Sequence, residues 1–277
     1  MGVAAIGFAL TTLPETFWAW VLFIIRQYGA LFLTGAGNTL LIAITGTAAG
    51  FLIGLLVAIV RTIPLKPSTP FLIRRLVKFA QFLLTVYIEV FRGTPMIVQA
   101  MVLYYGSSQL FGWNLSAILA GILIVSINTG AYMAEIIRGG IDSIDRGQTE
   151  AAQAIGMNHV KTMIYVILPQ AIRNILPATG NELVVNIKDT SVLNVISVTE
   201  LFFMSKSAAG TYLRYFEVFF VTSVIYLILT LTVTRLLRLL EKKLDGPDSY
   251  TIMGSQTTPD GMIHVHHGDA SLAIRGK

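Results

Sequence analysis

Residues 150–169 read EAAQAIGMNHVKTMIYVILP, the one polar-to-amphipathic stretch of its size between strongly apolar blocks. It opens on Glu150, Ala151 and Ala152, reaches Gly156 four residues later, and closes on Leu168 and Pro169. Ala151, Ala152 and Ala154 are small, so a helix built on them offers a shallow surface on which another protein can lie. Gly156 is a predicted stop for that helix, because glycine enters left-handed backbone at little cost. A short helix, a bend and a second helix suit the docking of a partner.

The blocks on either side point to a membrane. The chain has 277 residues, 54% of them apolar and only 13% charged, where soluble domains carry about a quarter. Mean hydropathy is +0.70. No charge occurs over residues 27–60 or over residues 93–134. A bilayer core takes about 20 apolar residues per helix, so the second run has room for two crossings. There are no cysteines, which excludes disulfides and thiolate metal sites. The net charge of +5 fits basic cytoplasmic loops better than nucleic acid. The first residues lack a basic region and a clear cleavage site, so no signal peptide is predicted.

Taken together with its flanks, the stretch sits among five predicted spans. Residues 1–30 form a lead, with Trp18 and Trp20 anchoring a short surface helix at 14–27. The transmembrane domain covers 31–244. The first span, 31–60, carries Gly46, Gly50, Gly54 and Ala58 on one face, open to close approach by another helix. A loop over 61–78 holds Arg61, Lys66, Arg74, Arg75 and Lys78 and no acid, which marks the cytoplasmic side. Glu89 and Arg92 close that side. A second span at 94–110 and a third at 115–137 come next, joined by a short outer turn at Trp113. The cytoplasmic loop at 139–175 carries the quoted stretch. The fourth span, 174–201, is poorly apolar and holds Glu182, Lys188 and Asp189. Charges at the bilayer centre cost about 2.5–3.5 kcal/mol each on insertion scales, so this span is expected to face protein or a water-filled path. The fifth is 216–234. The N-terminus is then outside and the C-terminus inside. Residues 245–277 read as a polar, disordered tail. His264, His266 and His267 fall there, and no metal or cofactor is expected.

Two polar stripes suggest a solute path. In the fourth span Glu182, Asn186, Thr190 and Asn194 are four apart, with Asp189 and Ser191 beside them. In the third, Asn128, Tyr132 and Glu135 share a face. The competing reading is that these groups tie helices together by hydrogen bonds. The chain has no G-x-x-x-x-G-K-[ST], no G-x-S-x-G and no H-E-x-x-H, so it carries no phosphate-cradling loop and neither of two common hydrolase signatures. An intramembrane protease is also disfavoured, because no nucleophile–base pair is recognisable on the spans.

The spacing of residues 150–169 resembles the EAA loop of the membrane-spanning subunits of ABC importers. That pattern is EAA, three residues, Gly, nine residues, Ile, one residue, Leu-Pro. Glu150, Ala151, Ala152, Gly156, Leu168 and Pro169 match it in register, and Val166 stands for the family's Ile. YIEVFRGTPMIVQ, AYMAEIIRGGI, ILPQAIRNILP and KDTSVLNVISVTEL resemble the permease subunits of the polar amino-acid branch. The resemblance covers about residues 31–242. It implies an all-α membrane protein of the type I importer fold in a bacterial cytoplasmic membrane. It also implies that the EAA stretch couples to a separate ABC ATPase, with a second permease chain and an extracytoplasmic amino-acid-binding protein as partners. The rival is an ion-coupled secondary transporter of small polar solutes, for which the intramembrane acids would bind the ion.

Overall fold

The computed structural model describes residues 13–63, 65 and 70–245, all helix, turn or coil with no strand among them. Lys66, the first twelve residues of the lead and the histidines of the tail lie outside the described residues. Helix α1 is Phe17–Arg61, α2 Phe71–Gly93, α3 Met96–Phe111, α4 Ala117–Asp142 and α5 Arg146–Ala154. A single turn, α6 (His159–Thr162), runs through a π-helical turn, Met163–Ile167, into α7 (Leu168–Asp189). A 3-10 segment, Thr190–Ile196, leads to α8 (Leu201–Tyr212) and α9 (Tyr215–Asp245).

Three of these helices, Phe17–Arg61, Ala117–Asp142 and Tyr215–Glu241, are long and apolar enough to cross a membrane. The bent pair His159–Ile196 and Leu201–Tyr212 makes a fourth if it counts as one span. The expected second span corresponds to α3. At 16 residues it is short of the roughly 20 a bilayer core needs, and it continues α2 across a break at Thr94 and Pro95.

α1 is a single helix of 45 residues, about 68 Å long. This corrects the expected separate surface helix at 14–27. No proline interrupts the run, and Trp20 is core rather than anchor. It is 2% exposed, packs with Ile24, Phe32 and Val218, and has the Arg214 guanidinium 4.7 Å above its ring. Of the two, Trp18 stays exposed. The basic loop is also shorter than expected. Helix resumes at Phe71, straight after Pro70, so Arg74, Arg75 and Lys78 are helical. Glu89 and Arg92 therefore lie near the far end of α2, not beside the basic loop.

Close contacts set the directions of the helices. A Cβ on Gly46 would meet Val125, one on Gly50 would meet Thr129, and one on Gly54 would meet Met133. Both series rise in steps of four, so α1 and α4 run parallel, backbone close to backbone. α2 runs the other way, with Gln81 bonded to the Val60 carbonyl and Tyr87 to that of Ile127. α7 is antiparallel to α4, with Ile175 against Gly140, Thr179 near Met133 and Asn186 bonded to Thr129. α9 starts beside the start of α1, where Phe17 meets Phe216 and Phe220, and reaches Gly180 of α7 with Leu237.

The fourth span is not one helix. Thr190 turns its hydroxyl to the Ile187 carbonyl and Asn194 its amide to the Ser191 carbonyl. Such local bonds compete with helical ones. Ser197 then takes left-handed backbone, φ 62°. Glu200 caps α8 through the amides of Phe202 and Phe203, both at 2.7 Å.

Candidate functional site

Two places concentrate chemistry. The first is the loop that opens at Asp145. Its carboxylate accepts from the Gly147 amide at 2.6 Å and starts α5. The helix stops in a double-bonded cap. Met157 N–H donates to the Ala152 carbonyl at 3.0 Å and Gly156 N–H to that of Gln153 at 2.9 Å, with Gly156 at φ 84°. This is a Schellman arrangement, which requires a left-handed residue at that position, so the stop expected at Gly156 is where the helix ends. Asn158 caps the next turn through the Lys161 amide. Glu150, Ala151, Gly156 and Pro169 are exposed, Leu168 is half-buried, and Ala152 faces inward. Ile155, Val160 and Tyr165 are 79%, 62% and 71% exposed, an apolar surface around the bend. The loop is tied to the body by Asn174 to Ser143 at 2.8 Å.

The second place is the polar interior. The structure does not bring all the stripe residues to one surface. Asn186, 2% exposed, donates to Thr47 at 2.8 Å and to Thr129 at 2.9 Å, joining α1, α4 and α7. Thr190 is buried on its own backbone. Glu135 pairs with Arg61 at 2.5 Å and Arg138 at 2.8 Å, and Arg138 pairs with Asp142. It thus sits at the α1 terminus, beside the loop. Asn128 donates to Gln99 at 2.8 Å. Asn186, Glu135 and Asn128 thus bond between helices, while Thr190 bonds within its own segment.

Tyr132 and Glu182 do lie at one level of the interior. Glu182 lies on α7 between the contacts that Thr179 makes with Met133 and Asn186 with Thr129, at the level of Tyr132 on α4. The Arg92 guanidinium lies 5.5 Å from the Tyr132 ring centre. Glu182 is 7% exposed and, among the described residues, has no hydrogen-bond partner. Asp189 and Arg92 are exposed, and Ser191 is half-buried nearby in sequence. The guanidinium over the phenol ring and the carboxylate on the facing helix are groups of opposite charge, the kind that bind a zwitterion. Sequence reasoning missed Arg92, which it took for a boundary charge, and Gln99, whose only signal was a polar residue inside an uncharged run.

Residues 70–246 match the family model described as "Binding-protein-dependent transport system inner membrane component". The chain belongs to this family of permeases. The permease is 38% identical over 215 residues to the glutamine transport system permease protein GlnP of Escherichia coli K12, covering 77% of this chain and 93% of that one. The arginine transport system permease protein ArtQ of Bacillus subtilis 168 is 33% identical over 216 residues, covering 78% and 93%. The crystal structure of an amino acid ABC transporter with histidines matches the permease fold with a TM-score of 0.72 and 38% identity, over 83% of this chain and 100% of that one. An inward facing form of the MetNI methionine ABC transporter matches with a TM-score of 0.63 at 19% identity, over 77% and 96%, which is a likeness of fold.

Proposed function

We propose that this chain is the membrane-spanning subunit of an ATP-driven importer for polar amino acids. A separate ATPase subunit hydrolyses ATP and seats the loop at Glu150–Gly156 in a cleft. A second permease chain completes the pathway, and an extracytoplasmic binding protein delivers the solute. The family match over residues 70–246 carries this reading, and it favours an importer over the ion-coupled alternative. Relatives named for glutamine and arginine transport support an amino-acid solute.

The directions of the helices support five passes: α1, α2 with α3, α4, α7 with α8, and α9. Arg61 and the α5–α6 loop then lie on the cytoplasmic side, with the C-terminal end of α9. The exposed apolar bend at Ile155, Val160 and Tyr165 is the ATPase contact. The solute path runs past Tyr132, Glu182, Asp189 and Ser191, with Arg92 added. Asn128, Glu135, Asn186 and Thr190 support it from behind. The test is co-purification: the tagged chain expressed from its native host should bring down an ATP-hydrolysing subunit. Recovery of the chain alone, fully folded and transporting with an ion gradient, would refute the reading.

A further inference from the structure

The pass made by α2 and α3 is broken midway. α2 stops at Gly93, Thr94 is extended at φ −125° and ψ 147°, and Pro95 brings no N–H. Such a break strips the last carbonyls of α2 of helical partners, and lipid offers none in return. Side chains take their place: the Thr94 hydroxyl donates to the Val90 carbonyl at 2.7 Å, and Gln99 spans the break. Gln99, 7% exposed, donates through Nε2 to the Phe91 carbonyl at 2.9 Å, the Thr94 carbonyl at 2.8 Å and the Thr94 hydroxyl at 2.9 Å. Its Oε1 accepts from Asn128 Nδ2 at 2.8 Å, and Asn128 also reaches the Phe91 carbonyl at 3.4 Å.

The amide is fully used. It has two N–H donors and one carbonyl acceptor, and both ends are engaged. A glutamate would lose the donors and a lysine the acceptor, while an asparagine is one methylene shorter. The two anchor points, Phe91 and Asn128, also fix the residues near them. Arg92 is the residue after Phe91. Tyr132 is four beyond Asn128, hence on the same helix face. The guanidinium and the ring that meet across α2 and α4 therefore project from the two places that Gln99 ties together.

We infer that Gln99 is a positioning residue of the transport path. It holds the α2–α3 break in one geometry and locks Asn128 to it, and so keeps the Arg92 guanidinium over the Tyr132 ring. This rests on the solute path proposed above. Gln99 itself need not touch the solute.

The chain has no cysteine, so spin labels can be placed at Leu83 and Val102, both exposed, on either side of the break. The measurement uses the full permease co-purified with its ATPase, in proteoliposomes. Uptake is followed with whichever of radiolabelled glutamine, arginine or histidine the parent complex accumulates best. Gln99→Met keeps the size and removes all four bonds. It should broaden or shift the label distance and raise the KM for uptake about tenfold, with the maximal rate per assembled complex within about twofold, the pattern of lost solute binding. Asn128→Ala removes only the α4 tie. It should act in the same direction more weakly, and it serves if Gln99→Met does not assemble. An unchanged distance distribution in both variants overturns the inference. So does an unchanged KM in both when Glu182→Gln raises it. If Glu182→Gln also leaves KM unchanged, the solute path falls, and the role of Gln99 falls with it.

Discussion

Asn186 and Thr47, 139 positions apart in sequence, share a hydrogen bond of 2.8 Å at the place where α1, α4 and α7 meet. Thr129 completes the knot from α4. Asn186 belongs to the stripe that the helical period places beside Glu182, and its amide bonds to α1 and α4. Each such bond inside a membrane is worth about 0.6–1.7 kcal/mol. Asn186→Leu should therefore lower the thermal midpoint of the purified complex while uptake per folded complex keeps its KM. A raised KM with an unshifted midpoint would return Asn186 to the solute path.

The cap at Gly156 makes a different kind of prediction. A Cβ there would meet nothing within 4 Å, so its cost comes from the backbone at φ 84°. Left-handed backbone costs an ordinary residue about 1–2 kcal/mol, and asparagine less. Gly156→Asn should keep coupling and Gly156→Val should weaken it. Gly156→Arg should leave the chain inserted but release the ATPase, because the long side chain enters the contact surface beside Ile155. Pull-down of the ATPase with each variant checks the order. Full retention and normal transport with Gly156→Arg would remove the bend from the coupling contact.

Topology can be read directly. Reporter fusions after Lys78, Arg173 and Lys243 should report cytoplasm, and one at Trp113 should report the outside. Trp113 is exposed in the turn between α3 and α4, beside the Phe111 ring. A cytoplasmic signal there would overturn the five passes and, with them, the side assigned to the coupling loop.

The parts legible in the sequence were those fixed by local chemistry. The glycine stop at Gly156 and the small-residue face of α1 at Gly46, Gly50 and Gly54 come from residue type and spacing, and the structure has a helix end at one and α4 against the other. The long apolar runs marked α1, α4 and α9. The features that stayed hidden depend on partners far apart in sequence. Trp20 reads as an interfacial anchor until α8 and α9 cover it. Glu135 reads as one of a polar stripe, and its partner Arg61 arrives from α1. The stripe through Thr190 and Asn194 assumes a straight helix, and their side chains bend the chain onto itself instead. Gln99 carries no periodic signal, because its bonds exist only across the break.

Asp189 gives the sharpest test of the solute path. It ends α7 as an exposed carboxylate and, among the described residues, forms no ion pair. Lys188, its neighbour, is exposed too. A carboxylate that served only the fold would need a partner there, since an unpaired charge inside a membrane is costly. One that meets the solute needs an open approach, and Asp189 is exposed at the end of α7. Asp189→Asn keeps the shape and a hydrogen-bonding group while removing the charge that attracts an ammonium. The variant should assemble with its ATPase and hydrolyse ATP, with uptake reduced about tenfold or more, as expected when a charge-assisted contact of roughly 1.5–3 kcal/mol is lost. Basic amino acids should suffer more than neutral ones, because they present a second cation. The measurement is uptake into proteoliposomes alongside ATPase activity stimulated by the binding protein. Wild-type uptake would take Asp189 out of the path. Loss of the assembled complex would instead assign its charge to the fold.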